Sequence, residues 1–159
     1  MLGNSLLTKV LADFLSVIYL LNLALKHATK SYTITLGVIK EMEIILNNLK
    51  ELDGSFYEKL HQEGIFDHSL FSELILSIDK LNDSEMSEIE RFRNSSMIWE
   101  LAYKIQSSFG YHFNVNDLFK ITNVDEEKLG EIGQVIGYIC KSFTENQQLD
   151  MDFIHEMTN

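Results

Sequence analysis

Apolar residues recur at intervals of three and four along most of this chain, the period of helices that bury one stripe. The first run, Leu7, Leu11, Phe14, Leu15, Ile18, Leu21 and Leu25, predicts a long helix from a cap at Asn4 or Ser5 to about Thr29. A second run, Leu36, Ile39, Met42, Leu46 and Leu49, spans about 35–52 and stops at Asp53-Gly54, where glycine tolerates positive φ. Before it, Tyr32 to Leu36 alternates and is rich in β-branched residues, so a short extended stretch is expected near 32–36.

Ser55-x-x-Glu58 has the spacing of a capping box and opens a short helix that ends at Gly64. Asp67 or Ser69 then opens a helix carrying Phe71, Leu74, Ile75, Ile78 and Leu81, which Asn82-Asp83 closes. Ser84 or Ser87 starts a long helix to Phe109, with Gly110 as its expected stop. Asn94-Ser95-Ser96 falls inside that helix, where side chains that bond their own backbone bend or break helices. Tyr111 to Val115 alternates, predicting a second short extended segment near 111–115, then a turn of helix near 116–121. Asn123-x-x-Glu126 repeats the capping-box spacing ahead of a helix to about Thr144. Leu149–Met157 closes the pattern with a short amphipathic segment. The expected fold is therefore all-α: one compact bundle of six or seven helices over 1–159, with a bend between sub-bundles near 82–84 as its one natural division.

Composition sharpens this picture by subtraction. No proline occurs in 159 residues, where average usage would place roughly eight, so proline-rich linkers and recognition motifs are excluded. Basic residues number 13 against 24 acidic ones, a balance of −11. The charge is uneven: residues 51–100 hold 12 acids against four bases, −8, and residues 101–159 hold nine against four, −5. Lysine and arginine cluster on no stretch, so the chain lacks the electrostatic footprint of direct nucleic-acid binding. The apolar run at 10–25 is interrupted by Asp13, Ser16 and Asn22 and is not expected to span a membrane. Only Lys9 precedes it and Leu25-Lys26-His27-Ala28 follows, a poor match to a cleaved secretory signal. One cysteine, Cys140, rules out an intrachain disulfide and fits a reducing, cytoplasmic setting.

Few residues suggest chemistry. Cys140 lies inside a helical pattern, with Lys141 directed to another face, so its thiolate has no evident stabilising charge. Phosphate-binding glycine loops and nucleophile-elbow serines are missing. Glu58-x-x-His61 and Asp152-x-x-His155 each place a carboxylate and an imidazole one helical turn apart. Ferritin-like metal-carboxylate bundles use two Glu-x-x-His pairs, which makes Glu58, His61, Asp152 and His155 the alternative metal-ligand set. Seventeen aromatic residues are present, and Trp99, Tyr103 and Phe113 are expected in the core.

The most informative local feature is a glycine series. Gly130, Gly133 and Gly137, with Cys140, fall at i, i+3, i+7 and i+10 of one helix. Each interior glycine costs ~1 kcal/mol relative to alanine, so three of them suggest a smooth stripe where another backbone approaches. Either an internal crossing against the Met97–Phe109 helix or an interface with another chain meets that description. The expected function is non-enzymatic and cofactor-free: protein–protein association, as an assembly subunit, adaptor or small inhibitor, or as a homo-oligomer. A metal-carboxylate bundle is the first alternative. An acidic DNA mimic that blocks a nucleic-acid-binding protein is the second.

Overall fold

Six helical stretches follow one another in a computed structural model that describes residues 38–158. The helix expected up to Thr29 and the extended stretch near 32–36 lie outside the described residues. Helix α1 covers 38–49. Its last carbonyl, Leu49 O, accepts a hydrogen bond from Lys104 Nζ at 2.8 Å, and the same ammonium pairs with Glu51 Oε1 at 3.0 Å. Asn48, buried at the end of α1, donates to Ile44 O and accepts the Tyr57 N–H at 2.9 Å. A buried polar side chain thus keeps hydrogen-bond partners on both its donor and its acceptor, as its desolvation requires.

Helix α2, Phe56–Glu58, runs directly into a π-helical turn, Lys59–Glu63. Ser55 Oγ accepts the Glu58 N–H at 3.3 Å, the N-terminal half of the expected capping box. Gly64 ends the turn at φ +66°, as its position predicts. Phe56, Phe66 and Phe71 then form an aromatic knot with ring centroids 4.9–5.0 Å apart.

Helix α3, His68–Asn82, is capped by Asp67, whose Oδ1 accepts from Ser69 and Leu70 while Oδ2 pairs with Lys59 Nζ at 2.9 Å. That lysine holds the Asp67 carboxyl below its ordinary value. Helix α4, Glu88–Phe113, begins with a complete capping box between Ser87 and Glu90. Helix α5, Glu126–Thr144, starts at Asp125. Helix α6, Met151–Thr158, docks on α5, where Tyr138 Oη accepts the Asp150 N–H at 2.8 Å. Among the described residues every regular element is helical and strands are absent.

The core lies between α3, α4 and α5, built from Leu74, Ile78, Leu101, Ile105, Ile132 and Ile136. A void of about 20 Å³ remains between these helices, lined by apolar side chains. Near Asn82, where the sequence suggests a bend, the chain is latched. Arg91 Nη1 donates to Asn82 Oδ1 at 2.9 Å and to Phe143 O at 3.1 Å, and its guanidinium lies 5.4 Å from the Phe143 ring centroid. One side chain thereby ties the ends of α3 and α5 to the start of α4.

Three local expectations are corrected. Tyr111, His112 and Phe113 are helical rather than extended, and Gly110 does not stop α4. The extra turn buries His112, whose Nδ1 accepts the Ile121 N–H at 2.9 Å, so tertiary contacts outweigh the alternating pattern. Helix α4 also continues through Asn94-Ser95-Ser96. Asn94 Nδ2 donates to Met86 Sδ at 3.1 Å and Ser96 Oγ donates to Phe92 O at 2.9 Å, so neither competes for a helical N–H. Residues 116–121 are not helical: Asp117 Oδ1 accepts the Phe119 N–H, and Lys120 Nζ reaches back to the His112 and Asn114 carbonyls.

Candidate functional site

Helix α4 is apolar on two sides. Its inner side buries Ile98, Leu101, Ala102, Ile105 and Phe109. Its outer side carries Ile89, Phe92, Ser96, Trp99, Tyr103 and Gly110, all exposed. Ile89, Phe92 and Tyr103 are 75%, 76% and 73% exposed, and Trp99 is 49% exposed. From Ile89 to Tyr103 the spacing is three, four, three, four, which keeps these side chains in one straight row. Trp99 and Tyr103, core residues by expectation, are on the surface instead, as is Phe113. The inner row, not these residues, lines the core shared with α3 and α5.

Several polar atoms on and beside this row are bonded within the chain. Trp99 Nε1 donates to Thr144 Oγ1 at 3.1 Å, and Thr144 Oγ1 donates to Cys140 O at 2.8 Å. Gln106 Nε2 donates to Gly133 O at 3.3 Å, and Ser107 Oγ donates to Tyr103 O at 2.7 Å. What the row offers outward is therefore chiefly carbon and aromatic surface. Exposed Arg93 and Glu100 border it on the edge away from α5. The row is thus an exposed apolar strip, interrupted by Ser96, with charged residues at its edge.

The four residues expected at an interface separate into two groups. Gly133 is half-buried, and a Cβ there would sit 4.0 Å from the Phe109 ring of α4, ordinary contact. At Gly130 and Gly137, on the same side of α5, a Cβ would meet nothing within 4 Å. An internal crossing that needs all three glycines is therefore not what α4 and α5 make. Cys140 is in the core, its Sγ 3.9 Å from Ile98 O, and burial pushes its thiol up to about 12. Such a thiol is a packing group rather than a nucleophile.

The alternative metal-ligand residues are dispersed. Glu58 ends α2, and His61 sits in the π-turn, where its Nδ1 shares a hydrogen bond with Tyr57 Oη at 3.0 Å. Burial raises the Tyr57 hydroxyl above its ordinary value. Asp152 and His155 are on the exposed side of α6. Among the described residues, no group of three or more histidine, cysteine, aspartate or glutamate side chains is placed to hold a metal ion. No described helix is long and apolar enough to cross a membrane.

A second polar cluster is structural. Asn123, expected as a helix cap, instead clamps Phe66: its Oδ1 accepts the Phe66 N–H at 2.8 Å and its Nδ2 donates to Phe66 O at 2.9 Å. Thr122 N donates to Gly64 O at 3.0 Å beside it. Together with the His112–Ile121 bond, these contacts stitch two loops that lie far apart in sequence. In the sequence only the position of Asn123 ahead of an acidic first turn marks it, and that mark points to capping rather than to the clamp.

Comparison with protein-family models, with curated proteins and with solved structures found no match.

Proposed function

We propose that this chain is a non-enzymatic helical protein that acts by protein–protein association, using the outer row of α4 and the glycine-bearing side of α5 next to it. The supporting observation is the row itself: Ile89, Phe92, Trp99 and Tyr103 stand exposed at coiled-coil spacing while the inner face of the same helix is already satisfied. Covering apolar surface is worth about 25 cal/mol per Å², and clustered tryptophan, tyrosine and phenylalanine dominate binding energy at interfaces. The partner in this reading is a protein, not nucleic acid, and the single buried thiol suits a reducing, cytoplasmic setting.

The test is the double variant Phe92→Asp with Tyr103→Asp. Both side chains are exposed, so helical circular dichroism is expected to be unchanged. Association, read as light-scattering mass and as recovery of a partner on the immobilised chain, is expected to be lost. Unchanged mass and unchanged recovery would contradict the reading.

A further inference from the structure

We infer that the occupant of the outer α4 row is a second copy of this chain, with the two α4 helices antiparallel about a two-fold axis near Met97-Ile98. This rests on the association reading above and names its partner. Three features of the row lead to it.

The first is the spacing. A three-four repeat keeps a row in contact with a facing helix over its whole length, because packing side chains into one another across such a seam absorbs the drift of a straight helix. From Ile89 to Gly110 the row is about 32 Å long at 1.5 Å per residue. With α5 beside it, the face is about two helix widths across, on the order of 600 Å² per copy. Standard interfaces bury about 600–1,000 Å² per partner, so the area sits at the lower end of that range, as a weak dimer would.

The second is the fit of volumes. In the antiparallel arrangement Ser96 of one copy faces Trp99 of the other, and Phe92 faces Tyr103, each pairing occurring twice. The Ser96–Trp99 pairing sets small against large, which fills space without a void. A parallel arrangement would set Trp99 against Trp99 and Ser96 against Ser96, a crowded layer next to an empty one. On the side nearer α5, Gly133 and Gly137 carry no side chain that would hold the copies apart.

The third is charge. The two-fold brings the outer edges of the two rows together, so exposed Arg93 on each copy lies beside Glu100 on the other. Two copies of a chain with a balance of −11 repel at long range. Two complementary contacts at the rim oppose that repulsion and set the register.

The experiment uses the full chain, with mass measured by light scattering across micromolar concentrations. Wild type is expected at twice the 18.4 kDa chain mass. Arg93→Glu sets like charges together at both rims and should raise the dimer Kd about tenfold, which is about 1.4 kcal/mol. Adding Glu100→Arg to that variant reverses both partners and should return the Kd to within a few-fold of wild type. Both positions are exposed, so helicity should stay constant throughout. A dimer in which the double reversal binds no better than Arg93→Glu overturns the antiparallel register. A one-chain mass overturns the second-copy inference. If a protein partner is still captured in a Phe92-dependent way, the association reading survives that result; if none is, both fall.

Discussion

Two sets of glycines in this molecule meet opposite surroundings. Gly64 adopts φ +66°, and a Cβ there would lie 2.3 Å from the Lys120 carbonyl oxygen. Gly130 and Gly137, inside α5, adopt ordinary helical backbone and have open space where a methyl would go. The first is required by the fold: the seam it belongs to is closed by Thr122, Asn123 and Ile121 bonding across to Gly64, Phe66 and His112. The second pair is not required by anything in the described residues. They flank the outer row of α4, where four large apolar side chains are likewise left over. Where the chain satisfies itself its geometry is obligatory, and where it is left unsatisfied the surface is available to another molecule.

Substitutions can separate these two regimes. The largest effect is expected at the seam. Gly64→Ala imposes both a left-handed alanine and a clash with backbone, and should cost about 3 kcal/mol or more of unfolding free energy in urea titration. Within α4, Leu101→Ala on the inner side should cost roughly 2–5 kcal/mol by the same measurement. Tyr103→Ala, two residues on, should leave urea stability of the dilute chain within about 0.5 kcal/mol while weakening association. Equal losses at the two positions would show that the outer row is packed rather than free.

Smaller effects sharpen the comparison further. Asn123→Ala strands the Phe66 N–H in a half-buried place and should cost about 1–3 kcal/mol. Gly137→Ala should instead stabilise the dilute chain, by up to ~1 kcal/mol, because it adds helix propensity without a clash. A destabilised Gly137→Ala protein would mean that the space beside Gly137 is filled after all.

The last effect, absent at neutral pH, concerns Cys140. Burial raises its thiol from 9.0 to about 12, so the folded chain keeps the proton where the unfolded chain releases it. Its contribution is fully present below pH 9.0 and declines as pH climbs toward about 12, by at most ~1.4 kcal/mol per pH unit. Comparing Cys140→Ala with wild type over that range isolates this dependence from other titrating groups. A thiol that alkylates readily in the folded state at neutral pH would place Cys140 at the surface instead.

Helix boundaries are largely legible in the residues. Asp67, Ser87, Gly64 and Asn82-Asp83 act where their side chains and backbone preferences put them, because capping is decided within a few positions of the chain. The 111–113 segment is not, since its helical turn depends on Ile121 meeting the His112 ring. Burial of aromatics is the larger failure. Trp99 and Tyr103 are of the types that cores favour, and only the competing row of Ile98, Leu101, Ala102 and Ile105 decides which side of α4 faces inward. The signal lies in the two apolar rows of α4, at three-four spacing on opposite sides of one helix. The glycine series does not act as one stripe, because Cys140 belongs to the core while Gly130 and Gly137 have open space where a Cβ would go.

Trp99 is the chain's only tryptophan, and it sits in the middle of the outer row. Its fluorescence therefore reads directly whether that row is covered. If a second copy covers it, concentrating the full chain through the range where mass doubles shifts the emission to the blue and lowers quenching by iodide. Phe92→Asp should abolish both changes. Emission and quenching that stay constant across that range would contradict the account.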